Sequence, residues 1–133
     1  MKNNEYARDW LRRAKSNLAR ARSGKIKEEI LYEDLCSDCQ QAAEKAIKAF
    51  LISIDKEFPP THSIARLLEI VSETKTDMPA KIQKAIDLSD YAVKTRYPGE
   101  SEPVTKKEYE EALTVAETVY NWVFNIMKAK KIP

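Results

Sequence analysis

Hydrophobic residues recur at spacings of three and four along most of the chain, which is the pattern of helices that bury one face. The first such segment covers residues 5 to 22 and ends at Ser23-Gly24, where glycine tolerates the left-handed turn that closes many helices. The second runs from Leu31 to Ile54 and stops before Pro59-Pro60, because neither proline can donate to a helical hydrogen-bond ladder. The pattern therefore predicts two helices, the second about six turns long.

Three more helices are predicted downstream. A short one follows the proline pair, with Thr61 or Ser63 as its N-cap. Another begins at Pro79, a favoured first-turn residue. Its buried face is expected to consist of Ile82, Ala85, Ile86, Ser89 and Val93. The last begins at Thr105 with Glu108 three residues later, the spacing of a capping box.

These segments predict an all-α fold. No stretch alternates convincingly enough for a strand, and only two of the 133 residues are glycine, a composition that favours helices. The connections are short, so we expect an up-and-down antiparallel bundle of four to five helices, with the second and fifth as its two long members. The length fits one domain over residues 1–133.

The last predicted helix is apolar on more than one face in the stretch "VYNWVFNIM". A single buried stripe covers only about 100° of a helix and does not need all of these side chains. We therefore expect an additional contact surface, most simply a subunit interface. The predicted interface residues are Trp10, Tyr120, Trp122 and Phe124.

Charge is unevenly distributed. The net charge is only +2, so the molecule as a whole lacks the field of a strong nucleic-acid binder. The segment from residue 7 to 27 nevertheless holds eight basic side chains and one acidic side chain, Asp9. Two interpretations stay open for this segment: a solvated helix face, which is what most charge runs are, or an electrostatic contact for phosphate.

Several classes of protein are disfavoured. No apolar run approaches the roughly 20 residues that span a bilayer, and the N-terminus lacks the apolar core of a signal peptide, so a cytoplasmic protein is expected. Cys36 and Cys39 lie inside a predicted helix, and His62 is the only other nitrogen or sulfur ligand. We therefore expect two buried thiols, no metal and no cofactor. Two distant glycines cannot form a phosphate-binding loop.

Five segments in order resemble the HEPN domain, the higher eukaryotes and prokaryotes nucleotide-binding domain. They are "WLRRAKSNL" from Trp10, "QAAEKAIKA" from Gln41, "THSIARL" from Thr61, "RYP" from Arg96 and "AETVYNW" from Ala116. The resemblance implies a helical bundle of four to five helices with the two long ones antiparallel, and frequent homodimers. It also implies a prokaryotic module that pairs with a separately encoded minimal nucleotidyltransferase, as in toxin-antitoxin systems.

The ribonuclease branches of that family carry arginine and histidine as R-x4-6-H. This sequence departs from the pattern, because residues 55 to 58 before His62 contain no arginine and no histidine follows Arg96. The missing motif therefore argues against an enzyme. An atypical metal-independent ribonuclease, in which Arg96 and His62 meet across the bundle, stays open, as does a protein-interaction scaffold without ligand.

The leading hypothesis is a binding module for a nucleotide, RNA or another phosphate group. Its predicted contacts are Arg96, Tyr97, His62, Lys45 and Lys48. Arginine can hold phosphate in a bidentate fork, and tyrosine can stack on a base. Arg96 and Tyr97 have the alternative role of fixing a loop to the bundle, and Lys48 could simply pair with Glu44 at helical i,i+4 spacing on the surface.

Overall fold

The computed structural model describes residues 3–89 and 103–130, which form four α-helices and one 3-10 helix. The α-helices are α1 (Asn3–Arg22), α2 (Tyr32–Ser53), α3 (Ile64–Ser72) and α4 (Lys106–Ala129), and the 3-10 helix is Ala80–Leu88. The described residues contain no strand. The predicted all-α bundle is therefore confirmed.

The helix ends follow the local chemistry of the sequence. Ser63 caps α3 by accepting a hydrogen bond from the Arg66 amide at 3.1 Å. At the start of α4, the Glu108 amide donates to Thr105 Oγ1 at 3.1 Å, and the Thr105 amide donates to the Glu108 carboxylate at 3.0 Å. The predicted capping box is thus confirmed. Gly24, just after α1, has φ +65°, as expected for a residue that closes a helix.

The segment after Pro79 differs from its prediction in helix type. Its residues follow a period of three, as in a 3-10 helix, where side chains at i and i+3 are eclipsed. That period buries Ile82, Ala85 and Leu88, whereas Ile86, expected on the buried face, is 37% exposed. Val93, the last residue expected on that face, lies outside the described residues.

Helices α1 and α2 share the most extensive contact of the fold and run antiparallel. Lys48 near the end of α2 lies over Trp10 early in α1, and Asp38 early in α2 bonds Asn17 late in α1. Many of the facing residues are alanines, which lets the two backbones approach closely. The buried alanines are Ala7, Ala14 and Ala21 of α1 and Ala42, Ala43, Ala46 and Ala49 of α2.

Helix α4 packs on α1 and α2 and runs in the same direction as α2. Tyr32 stacks on Tyr109 near the first turns of both helices, and Phe50 meets Trp122 further along, each with ring centroids 5.4 Å apart. The expected antiparallel pair of long helices is therefore α1 with α2, and not the second with the fifth predicted helix. Helix α4 therefore begins at the end of the bundle where α2 also begins.

None of the described helices is both long and apolar enough to cross a membrane.

Candidate functional site

A buried carboxylate, Glu44 of α2, is the centre of the candidate site. Its side chain is 2% exposed, and its Oε2 atom accepts hydrogen bonds from Lys48 Nζ at 3.0 Å and from His62 Nδ1 at 3.1 Å. Lys48 follows Glu44 by one helical turn, while His62 comes from the extended connection between α2 and α3. The fold thus brings two basic groups to a single oxygen of one buried carboxylate.

The other oxygen of this carboxylate lacks a hydrogen-bond partner in the part of the chain that the structure describes. Glu44 Oε1 is buried and receives no hydrogen bond from the described residues. A buried acceptor left unsatisfied costs about 1–3 kcal/mol. Buried polar side-chain atoms in native proteins usually have a hydrogen-bond partner, so Oε1 has the capacity to accept a further hydrogen bond.

His62 is held at one nitrogen and open at the other. Its side chain is 85% exposed although Nδ1 contacts buried Glu44. A carboxylate only accepts hydrogen bonds, so Nδ1 carries the hydrogen and Nε2 points away from the carboxylate. This orientation of an imidazole by a carboxylate is the one that lets Nε2 donate to an anion when the ring is charged, or accept a proton when it is neutral.

Lys48 is less available to a ligand than the sequence suggested. The ammonium is bonded to Glu44 and lies 5.3 Å from the ring centroid of Trp10, and the side chain is 8% exposed. The structure therefore shows the alternative role, in which Lys48 pairs with Glu44, although the pair is buried and not on the surface. Its charge offsets that of the Glu44 carboxylate beside His62.

A second polar chain crosses the α1 and α2 interface. Lys45 Nζ donates to Asn17 Oδ1 at 2.7 Å, and Asn17 Nδ2 donates to Asp38 Oδ1 at 2.9 Å. Arg20 approaches the same Asp38 oxygen at 3.4 Å. Lys45 thus contacts Asn17 and has no contact with the Glu44 carboxylate, so the structure separates it from the group around His62.

Two of the predicted contacts, Arg96 and Tyr97, lie outside the described residues. Their role in binding stays a prediction.

Sequence reasoning missed Glu44 as a site residue, although a signal existed. Glu44 lies three and seven residues before Ile47 and Leu51, which places it on an apolar stripe of α2.

The four predicted interface residues differ in exposure. Tyr120 is buried, at 9% exposed, and stacks on Phe124, which is 42% exposed. Trp122 is partly buried against Phe50 and Trp10 against Lys48. Packing within the chain therefore occupies most of the predicted aromatic surface, and Phe124 is its most exposed member.

The thiols have the environment of core residues. Cys36 and Cys39 are both fully buried. Burial raises the pKa of Cys39 to about 12, so its thiol stays protonated and unreactive at neutral pH. Within the described ranges, no group of three or more histidine, cysteine, aspartate or glutamate side chains could hold a metal ion.

The chain is similar to a known domain family along most of its length. A model of the HEPN domain matches residues 7–129. The archaeal HEPN homologue ST0689 has a crystal structure with 33% identity and a TM-score of 0.73, over 91% of this chain and 97% of that one. The crystal structure of TT1696 from Thermus thermophilus has 31% identity and a TM-score of 0.74, over 90% and 96%. No curated protein matches significantly.

The fold and its polar centre define a small all-α domain in which a buried carboxylate orients an exposed histidine. With matches of this extent, the chain belongs to the HEPN family.

Proposed function

We propose that this HEPN domain is a homodimeric module that binds a nucleotide or phosphate group and acts with a separately encoded minimal nucleotidyltransferase, as a toxin-antitoxin type pair. The observation that carries the binding proposal is the exposed His62 ring, fixed through Nδ1 by buried Glu44. A ring held in this way presents Nε2 to solvent in one orientation, so a ligand need not order it.

Charge around the ring supports an anionic ligand. Lys48 neutralises Glu44 at 3.0 Å, so the carboxylate does not repel phosphate strongly. Arg96 and Tyr97 complete the proposed site from the sequence, with a guanidinium for phosphate and a ring for the base. Lys45 is a weaker contact, because its ammonium is engaged by Asn17 at 2.7 Å.

Calorimetric titration with ATP and GTP tests the binding proposal. Saturable heat with the wild type, lost in Arg96→Ala and in His62→Ala at unchanged melting temperatures, supports it. Lys75→Ala is the matched control, since Lys75 is an exposed cation in the connection after α3. Absence of binding by the wild type at millimolar nucleotide contradicts the proposal and favours a scaffold without ligand.

The partner proposal needs a separate experiment. The chain is co-expressed with the reading frame next to its gene, and the purified material is measured by native mass spectrometry. A complex with a nucleotidyltransferase at fixed stoichiometry is expected, and the chain alone is expected as a dimer. A chain that purifies alone as a monomer contradicts both parts.

A second function, metal-independent RNA cleavage, is favoured by the contact between His62 and Glu44. A carboxylate-oriented imidazole can remove the proton from an RNA 2'-hydroxyl as a general base. Incubation with transfer RNA and single-stranded RNA over a pH series tests it. Cleavage that His62→Ala abolishes supports the ribonuclease, and intact RNA beside an active control nuclease rejects it.

A further inference from the structure

Helix α1 carries a stripe of basic side chains on the side of the helix opposite the His62 site. The stripe consists of Arg8, Arg12, Lys15 and Arg22, at successive spacings of four, three and seven residues, with Ala19 between the last two. All four basic residues are exposed. Arg8 and Trp10 are two residues apart, which is about 200° around the helix, so the stripe faces away from the side that contacts Lys48.

The charge on α1 is much larger than that of the molecule. The helix has six basic and two acidic side chains, a net charge of +4, whereas the whole chain has +2. The rest of the chain is therefore net negative by two charges. Among the described residues, no carboxylate lies within 4 Å of a cationic nitrogen of Arg8 or Lys15.

A helix face that only contacts solvent does not require like charges at i,i+3 and i,i+4 spacing. Like charges at i,i+3 and i,i+4 destabilise a helix, and pairs of opposite sign at the same spacing stabilise it. Arg8, Arg12 and Lys15 repeat the unfavourable spacing twice. Two ion pairs compensate the stripe in part: Arg12 with Asp9 at 2.6 Å, and Arg22 with Glu117 of α4 at 3.0 Å. The two arginines are 74% and 45% exposed, so solvent screens both pairs and a stronger anion can replace the carboxylates.

We propose that this stripe is a docking surface for the phosphodiester backbone of a nucleic-acid duplex. The stripe is linear, with Arg8 and Arg22 about 21 Å apart along the helix axis, which suits an extended polyanion better than a single compact anion. It contains no aromatic side chain on which an unpaired base could stack, so it contacts the backbone without reading bases. The surface is distinct from the nucleotide site proposed at His62.

Salt dependence gives the expected size of the effect. Each neutralised phosphate contributes about −0.9 to the slope of log K against log salt on a B-form duplex. Three contacts, from Arg8, Arg12 and Lys15, give a slope of about −2.7. Affinity is then expected to fall roughly 40-fold between 50 and 200 mM salt.

Fluorescence anisotropy of the full chain with labelled 20-base-pair DNA and RNA duplexes tests the proposal. The variant Arg8→Gln/Arg12→Gln/Lys15→Gln is expected to bind at least tenfold more weakly at 50 mM salt, with a slope shallower by two to three. The matched control Lys75→Gln/Lys81→Gln/Lys84→Gln removes the same charge from exposed lysines elsewhere and is expected to stay within twofold of the wild type.

Three results would overturn the proposal: no binding of the wild type to either duplex at 50 mM salt, an equal loss in the stripe and control variants, or a preference above tenfold between two duplex sequences. Comparing the DNA and RNA duplexes tells which backbone is the ligand. The stripe is tested with duplexes and the His62 site with free ATP and GTP, so failure of one proposal is distinguishable from failure of the other.

Discussion

Removing the carboxylate of Glu44 is expected to destabilise the protein strongly, because it leaves the Lys48 ammonium buried without its counter-ion. The pair is separated by 3.0 Å, with side chains 2% and 8% exposed. At an effective dielectric constant of about 20 the two charges attract by roughly 5 kcal/mol. Desolvation of each ion offsets most of this gain, so the intact pair adds little net stability.

The single variant and the double variant should therefore behave differently. Glu44→Ala keeps the desolvation cost of Lys48 and loses the attraction, for which about 3–5 kcal/mol of lost stability is expected. Glu44→Met/Lys48→Met removes both ions while keeping the volume. It is expected within about 1.5 kcal/mol of the wild type.

Urea unfolding monitored by circular dichroism measures these differences, with the denaturant slope compared between variants to check that the unfolded state is unchanged. The exposed pair of Arg66 and Glu69 is the control, with side chains 49% and 68% exposed. Glu69→Ala is expected to cost less than about 0.5 kcal/mol. A loss below about 1 kcal/mol for Glu44→Ala would contradict a desolvated Lys48 ammonium, because it would mean that water reaches Lys48 freely.

Three further outcomes are expected elsewhere in the chain. Thr105→Ala removes the capping box and should cost about 1 kcal/mol in urea unfolding, while Thr105→Ser should keep most of the stability; equal losses would contradict the capping role. Tyr109→Phe removes a buried hydrogen bond of 2.5 Å to the Ala21 carbonyl and should cost about 1–3 kcal/mol by the same assay; no loss would show that water replaces the hydroxyl. The pKa of Cys39 is raised from 9.0 to about 12 in the folded protein, so the unfolded state releases this proton first. The stability of the wild type should therefore fall as pH rises above about 9. If the melting temperature of Cys39→Ala falls with pH just as that of the wild type does, Cys39 is not the cause of the loss.

The parts of the fold that depend on local chemistry were predictable. The Thr105 capping box needs only two side chains three residues apart, and the Ser63 cap lies directly before an apolar run. The 3-10 helix was not predictable, because Ile82, Ala85 and Ile86 also fit an α-helical face. Only the buried Leu88 and exposed Ile86 distinguish a period of three from one of 3.6, and their burial depends on packing against the rest of the bundle.

The residues of the candidate site were more predictable from the sequence than the hydrogen bonds between them. His62 and Lys48 were expected near a ligand, but their common partner was not, since Glu44 is 18 residues from His62 in sequence. Spacing on one helix relates Glu44 to Lys48. The contact with His62 depends on how the connection after α2 folds back, which no local pattern encodes.

A nitrogen-15 NMR titration of the imidazole reports directly on whether a nucleotide binds at His62. The chain has one histidine, so labelling with nitrogen-15 histidine reports on His62 alone. With ATP or GTP we predict a saturable shift of Nε2 larger than that of Nδ1, because Glu44 already holds Nδ1 at 3.1 Å. Imidazole signals that do not move at millimolar nucleotide would contradict a nucleotide or phosphate site at His62.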